Sequence, residues 1–435
     1  MKHRLGGLLI SAMIVSIIIR GLMPGNLSGM LLALSGVAAW GAAVLLIGLT
    51  TTLLRIQISL LITAGLLLLY LGQSNGAEID WTEVFSSNTA LLTMIAAVGF
   101  LKLVALPDVG TQHKLPVGEK AFYSTLLSVS VFGSVINVSA PILIADRIHH
   151  ERPLARFTSQ SITRVFCAMS SWSPFFAAMA AVLTYVEFAE LEWVILAGLP
   201  FALAGVLFTI ADSRIRFRSE MSTFVGYPLR RSDLLIPGVL MTIVLLCRWL
   251  LPHLSILIVI ALSALCLTVV LLIVRGGLIS CQNKLKNHIF LALPRSINEL
   301  ILFLAAGVLA AGMSSLISAG MVSSPFSVFD GTTAGITLCC IVLCAVVGIH
   351  PIILISSFTP LILELNPNPS LLAATYLFSW NLGTAGCYLS GTHLVFQGRY
   401  GIPSIKAAWW NMPYVIVMLF IGCVWLYVLD RIALS

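Results

Sequence analysis

The chain is 435 residues long, 59% hydrophobic and only 9% charged, against roughly a quarter charged in an ordinary soluble domain. So few charges cannot clothe a water-facing surface, which excludes soluble enzymes, nucleic-acid binders and disulfide-stapled secreted domains. The net charge of +7, from 24 Lys and Arg against 17 Asp and Glu, bears first on orientation, because basic residues accumulate in cytoplasmic loops.

Apolar stretches of about 20 residues, the length that crosses a bilayer as a helix, recur throughout. The expected fold class is therefore an all-α polytopic membrane protein. The nine cysteines lie mostly inside apolar segments, form no Cys-x-x-Cys pair, and read as small packing residues. The start Met1-Lys2-His3-Arg4 places the N-terminus in the cytoplasm, and no small-x-small cleavage site precedes Arg20 and Pro24, so segment 7–22 reads as an uncleaved outward helix. Segment 29–50 returns, and 56–72 leads out to Glu78, Asp80 and Glu83. Segment 88–106 returns to a loop with Lys114 and Lys120.

If 121–145 crossed next, the basic loop of Arg147, His149, His150, Arg152 and Arg156 would face outward, against the charge rule. A re-entrant hairpin over 121–145 removes the conflict. Its centre, Gly133 to Ser139, supplies the glycine and short polar residues that a chain reversal at membrane depth needs. Segment 158–186 then crosses outward, 193–211 returns, and the linker 212–233 carries Arg214, Arg216, Arg218, Arg230 and Arg231, a match for anionic head groups. Segments 234–251 and 254–274 go out and back to Arg275, Lys284 and Lys286, and 289–313 goes out. A second hairpin over 333–363 breaks at Gly348-Ile349-His350-Pro351. Segment 371–396 runs inward and 407–428 ends outside. This gives about eleven transmembrane helices and two hairpins in a cytoplasmic (inner) membrane.

The domains expected are a first helix (1–28), one repeat (29–211), the cytoplasmic linker (212–233) and a second repeat (234–435). Each repeat has three crossings, a hairpin, an interrupted crossing and a last crossing, in opposite orientation, as in secondary transporters. Sequence echoes accompany it. Ser139-Ala140-Pro141-Ile142 matches Phe358-Thr359-Pro360-Leu361, Ser171-Trp172-Ser173-Pro174 falls on Ser390-Gly391-Thr392-His393, and Asn88 pairs with Asn298.

A helix interrupted at membrane depth leaves backbone groups without partners, which is tolerated only in protein interior or beside a wet cavity. In 158–186, Ser170, Ser171 and Ser173 stand before Pro174, so a half-helix is expected to start with Ser173 as its cap and Pro174 in its first turn. Its free N–H donors would seat an anion. Asn381, Thr384, Ser390 and Thr392 with Gly383, Gly386 and Gly391 form the corresponding break in 371–396. Small residues would equally serve close helix packing. At the hairpin tips, Ser134, Asn137 and Ser139 on one side and Ser356, Ser357 and Thr359 on the other offer neutral oxygens to Na⁺, or bond back to their own helices.

Arg164 either neutralises an anionic substrate or snorkels to the cytoplasmic face. Arg295 and Glu299, four apart, are a structural ion pair unless Glu299 faces a cavity as a proton carrier. His350 and His393 titrate near neutrality in principle, and a packing role competes for both. No nucleotide-binding, serine-hydrolase or metalloprotease motif is present, which excludes ATP-driven transport by this chain alone. No metal site, cofactor or nucleic-acid partner is expected.

With Ser170 to Pro174, Gly348 to Pro351 and Ser390 to Leu394 at its breaks, the chain resembles the ion transporter superfamily, which includes divalent anion/sodium symporters, citrate carriers and related permeases. The resemblance implies an elevator-like carrier, usually a homodimer, with substrate and cation between hairpin tips and helix breaks. It departs from the divalent-anion branch in one respect. Ser87-Asn88-Thr89, like that branch's tip signature, lies one element before the first hairpin. The expected function is secondary transport of a small organic anion, a carboxylate, coupled to Na⁺ or H⁺. The rival readings are a flippase or exporter of lipid-linked substrates and a membrane-embedded transferase using Glu78, Asp80 and Glu83.

Overall fold

A computed structural model of the chain describes residues 1–23, 25–105 and 115–433. Pro24 and Lys114 lie outside the described residues. Regular structure among the described residues is helical, apart from an isolated antiparallel bridge between Val117 and Val225.

The first half holds α1 (Lys2–Leu22), α2 (Ser28–Leu46), α3 (Thr52–Ser74), α4 (Trp81–Ser86), α5 (Thr89–Gly99), α6 (Lys102–Ala105), α7 (Glu119–Ile136), α8 (Ser139–Glu151), α9 (Arg156–Met169), α10 (Ala177–Tyr185), α11 (Leu191–Arg216) and α12 (Arg218–Ser222). The second holds α13 (Leu235–Leu250), α14 (Ile256–Asn287), α15 (Ile297–Ser318), α16 (Gly331–Val346), α17 (Pro351–Leu363), α18 (Pro369–Gly386), α19 (Gly391–Tyr400) and α20 (Ser404–Ala433). Seven helical stretches are long and apolar enough to cross a membrane, and one of them, Ile256–Ser318, contains both α14 and α15. The chain has an all-α polytopic membrane fold.

Helix starts follow local chemistry. Asp80 caps α4 by accepting from the Thr82 and Glu83 amides, Asn368 caps α18 ahead of Pro369, and Asp330 caps α16 through the Thr333 amide at 2.9 Å. Both expected hairpin segments are broken where the sequence placed their centres. In the first, Asn137 in a left-handed conformation (φ 51°) separates α7 from α8, and these two helices pack on each other. In the second, Gly348 (φ 108°) closes α16, with its own N–H on the Ala345 carbonyl and the Ile349 N–H on the Cys344 carbonyl. His350 then opens α17, its Nδ1 accepting from the Ile352 amide at 3.2 Å, with Pro351 as the first helical residue.

The chain divides into two compact units that cut across its halves. One unit gathers Met1–Val104, Val239–Ser327 and Ser356–Leu365; the other gathers Ala105–Gly238, Val328–Ile355 and Asn366–Ser435. Each unit thus takes corresponding parts of both expected repeats instead of one repeat each. Partner choice within the units follows the same exchange. In the first, α3 packs on α15 and α14 on α5; in the second, α9 packs on α18, α11 on α18 and α20 on α9. In the first unit Ser87 and Asn88 form a further break between α4 and α5. Asn88 (φ 66°) donates from its amide to the Phe303 carbonyl of α15 at 2.7 Å.

Three local expectations are corrected. Residues 275–287 form no loop, because α14 continues to Asn287 past a non-helical Gly277, its apolar residues Leu278, Ile279 and Leu285 carrying the helix on. Among the described residues no ion pair joins Arg295 to Glu299. A 3₁₀ turn (Leu293–Ser296) holds Arg295 outside α15, so the helical i,i+4 geometry is absent. The linker 212–233 is not free chain: α11 runs through Arg216, and residues 224–229 dock on α7. The Gly118 amide donates to the Phe224 carbonyl, the Tyr227 amide to Thr125 Oγ1 and the Leu229 amide to Ser124 Oγ, above a stack of Phe122, Phe157, Phe217 and Phe224. Burial there pushes the Tyr227 hydroxyl up to about 12.

Replacing Asp330 with Ala removes the α16 cap and costs about 1 kcal/mol, read as a lower melting temperature in detergent, with Asp330→Asn retaining most of it. The Thr333 amide holds the Asp330 carboxyl below its usual range. The charged cap's contribution is therefore present above about pH 4 and is lost on further acidification.

Candidate functional site

The second unit is centred on two interrupted helices. Every residue of α9 from Phe157 to Met169 is buried, including Thr158, Ser159, Gln160, Ser161, Thr163 and Arg164, and α18 is buried from Leu371 to Gly383. A helix this polar and this enclosed is costly unless its groups find partners. That makes it the candidate site.

Arg164 is 0% exposed, and its guanidinium is enclosed by acceptors. Nη1 donates to Asp212 of α11 at 2.7 Å, Nε to Asn411 Oδ1 of α20 at 3.1 Å and Nη2 to the Trp410 carbonyl at 2.9 Å. With its amide turned to satisfy both neighbours, the Gln160 oxygen accepts from Nη1 and Nη2 at 3.0 Å each. Phe208 and Tyr414 flank the cation at 5.8 Å. All five donors are used. Asp212 also holds Arg216 at 2.9 Å. The sequence offered substrate contact or snorkelling; Arg164 instead ties α9 to α11 and α20, with no donor left over for an anion in this arrangement.

A second chain of bonds joins the two breaks. Tyr414 donates to Asn381 Oδ1 at 3.0 Å, and Asn381 Nδ2 donates to Ser171 Oγ at 3.0 Å. Thr384 lies 3.5 Å from Cys167 and donates to the Trp380 carbonyl. Ser170, Ser171, Ser173, Asn381, Ser390 and Thr392 are all buried, and Thr384 is half-buried.

The first break, residues 170–176, is longer than the sequence suggested. α10 starts at Ala177, its N-cap is Phe176 and no side chain caps it. Ser173 does not cap this half-helix; its hydroxyl donates to the Ser134 carbonyl at the end of α7, and it accepts from the Phe175 amide at 3.3 Å. Pro174 lies in the unwound turn because the chain must first bury Phe175 and Phe176. Asn137 Nδ2 donates to the Phe175 carbonyl at 3.0 Å, so the first tip, with Ser134, Asn137 and Ser139, is bonded to the first break. The Asn137 Oδ1 is buried without a hydrogen-bond partner among the described residues.

The second break, residues 387–390, is short. Ser390 is the N-cap residue of α19, and its buried Oγ has no hydrogen-bond partner among the described residues. Ser356, Ser357 and Thr359 do not form a tip: the turn lies at residues 347–350, and these three sit inside α17 in the stretch grouped with the first unit. His350 is engaged as the α17 cap and stands edge-on to Trp380 at 5.3 Å. Glu299 belongs to the first unit, in the field of Lys102. Sequence reasoning missed Asp212, Asn411, Gln160 and Tyr414. Only Asp212, four residues before Arg216 at the end of an apolar segment, carried a readable signal.

No protein-family model matches the chain, and no curated protein matches it significantly. Among solved structures, the YdaH transporter of Alcanivorax borkumensis, reported to have an unusual topology, is similar at 13% identity and a TM-score of 0.38. The match covers 85% of this chain and 97% of that one. A likeness this weak bears on neither site nor function.

Replacing Asp212 with Ala leaves the Arg164 charge buried and unpaired, and costs about 3–5 kcal/mol, read as lost expression or a lowered melting temperature. Gly198 of α11 lies against the first break: a Cβ there would sit 1.8 Å from the Ser171 carbonyl oxygen. Gly198→Ala must therefore push the break away, at about 1–3 kcal/mol, and lowers activity more than Gly205→Ala, whose Cβ would meet only side-chain atoms.

Proposed function

We propose that the chain is a secondary transporter of a small organic anion, a carboxylate, coupled to Na⁺ or H⁺. The reading is supported chiefly by the pairing of two buried, polar, interrupted helices, α9 and α18. Unwound backbone at membrane depth is tolerated where it is enclosed or lines a cavity, and half-helix N-termini there suit anionic groups.

The anion meets the N-terminus of α19, where the amides of Gly391, Thr392 and His393 open the helix and Ser390 Oγ has no other partner among the described residues. Ser170, Ser171, Asn381 and Thr384 line the same pair of breaks. Arg164 contributes by fixing their spacing, not by direct contact. For the cation, the Asn137 Oδ1 beside the first tip is an acceptor without a donor among the described residues, a fit to Na⁺ or to a protonated group. Alternating access is elevator-like. The chain works as a homodimer in the inner membrane, N-terminus in the cytoplasm and C-terminus outside. The transferase rival loses support from Asp80, whose carboxylate is engaged as the α4 cap.

Uptake by proteoliposomes tests the reading. An imposed Na⁺ or proton gradient drives accumulation of a mono- or dicarboxylate, and Ser390→Ala raises its KM about tenfold, the loss of one hydrogen bond to a charged group. No gradient-driven flux across a broad panel of organic anions would end the proposal.

A further inference from the structure

The second break is linked to the buried charge through a single imidazole, and the bond directions along that link are forced. Arg164 Nε can only donate, so the Asn411 amide must present Oδ1 to it, at 3.1 Å. Asn411 Nδ2 is thereby turned to His393 Nε2, at 3.2 Å, and that nitrogen must accept. The ring proton then sits on Nδ1, where the Cys387 carbonyl, an obligate acceptor in the unwound turn, receives it at 2.9 Å. Carbonyl, imidazole, amide and guanidinium form one directed chain from break to Arg164 and Asp212. It is complete only while His393 is neutral.

We infer that His393 is the proton-coupling residue of this protein, its protonation reversing the Asn411 amide and breaking one of the two bonds that hold Arg164 to α20, the other being to the Trp410 carbonyl. A second proton on the ring lands on Nε2, opposite the Asn411 amide N–H; donor faces donor, and the contact survives only if Asn411 rotates its Oδ1 toward the ring. Arg164 Nε then loses its acceptor. Protonation at the second break is thus transmitted to α9, which carries the first. This deepens the transport reading and rests on it, by assigning the coupled ion as H⁺.

His393 is fully buried, and no other titratable side chain is bonded to it among the described residues. On α8, which packs beside α19, Asp146 is held by Arg399 and Tyr400, and His149 lies against Tyr400, two turns along the helix from His393. On α20, Tyr414 donates to Asn381 and Lys406 is exposed. On α9 and α11, Arg164, Asp212 and Arg216 reach the imidazole only through Asn411. The Cys387 thiol belongs to the residue that already supplies the carbonyl.

Two readouts test the inference and separate it from the transport reading. The first is the melting temperature of the purified protein in detergent from about pH 8 to about pH 4, the range in which histidines titrate. The chain's contribution is present while the imidazole is neutral and is lost as pH falls, so the wild type shows an acid step. His393→Gln, which can still donate to Cys387 and accept from Asn411, removes that step. Asn411→Asp accepts from both Arg164 and a protonated ring, so protonation no longer breaks the chain and the acid step shrinks or disappears. If His393→Gln does not fold, Asn411→Asp carries the test alone. An unchanged step in either folded variant, or no step in the wild type, overturns the inference.

The second readout is accumulation in proteoliposomes under a proton gradient, which His393→Gln loses. Accumulation driven by Na⁺ with no response to a proton gradient overturns the coupling role and leaves transport standing. An absence of any anion flux, with the acid step present, overturns transport and leaves the switch.

Discussion

A guanidinium that cannot reach water is the constraint around which the second unit is organised. Arg164 is enclosed on a helix with no exposed face, and leaving one partner missing would cost more than most helix–helix contacts supply. Its five donors therefore dictate where two other helices stand. α11 must bring Asp212, α20 must bring Asn411 and the Trp410 carbonyl, and α9 itself supplies Gln160 one turn away. Once those positions are fixed, Tyr414 falls three residues from Asn411 and meets Asn381, which holds Ser171. The two breaks are thus spaced by hydrogen bonds that begin at one charge. Lipid gives apolar helices little reason to prefer one another, so polar groups of fixed direction are what select this arrangement.

Much of the architecture was legible because interruptions at membrane depth carry strong local chemistry. Gly348 followed by His350 and Pro351 contains a helix stop and a helix start in four residues, and Asn137 is one of the few residue types that turn left-handed readily. Ser170 and Ser390 mark the other two interruptions. The finer positions were less legible where two signals competed. Ser173-Pro174 has the form of a helix start, yet the two following phenylalanines need burial, and the helix waits until Ala177. Ser356, Ser357 and Thr359 drew attention as hydroxyls, whereas the turn is set by Gly348, well before them.

The site's chemistry was legible as a list of residues and not as a set of pairs. Arg164 was visible as a costly charge, but its partners are 48 and 247 residues away. Nothing local in the sequence distinguishes a guanidinium waiting for an anion from one already neutralised. The same applies to the domain division. A repeat read along the chain gives two consecutive halves, while packing gives two units that each draw on both, because α3 finds α15 and α9 finds α18 across the middle of the sequence.

The ends of α8 and α19 show how a break can be anchored without being rigid. Both helices begin at interruptions, α8 just after Asn137 and α19 just after Ser390, and both end in a polar cluster where Asp146 receives Arg399 and the Tyr400 hydroxyl, the latter at 2.6 Å. Burial, with the bond to Asp146, raises the Tyr400 hydroxyl above its ordinary range, so it stays a donor throughout the physiological range. Asp146 and Arg399 are about half exposed, and such a pair is individually weak. Weakness suits its position. Arg164 at the buried end holds its helices in one arrangement, whereas the α8–α19 contact at the far end can part at little cost.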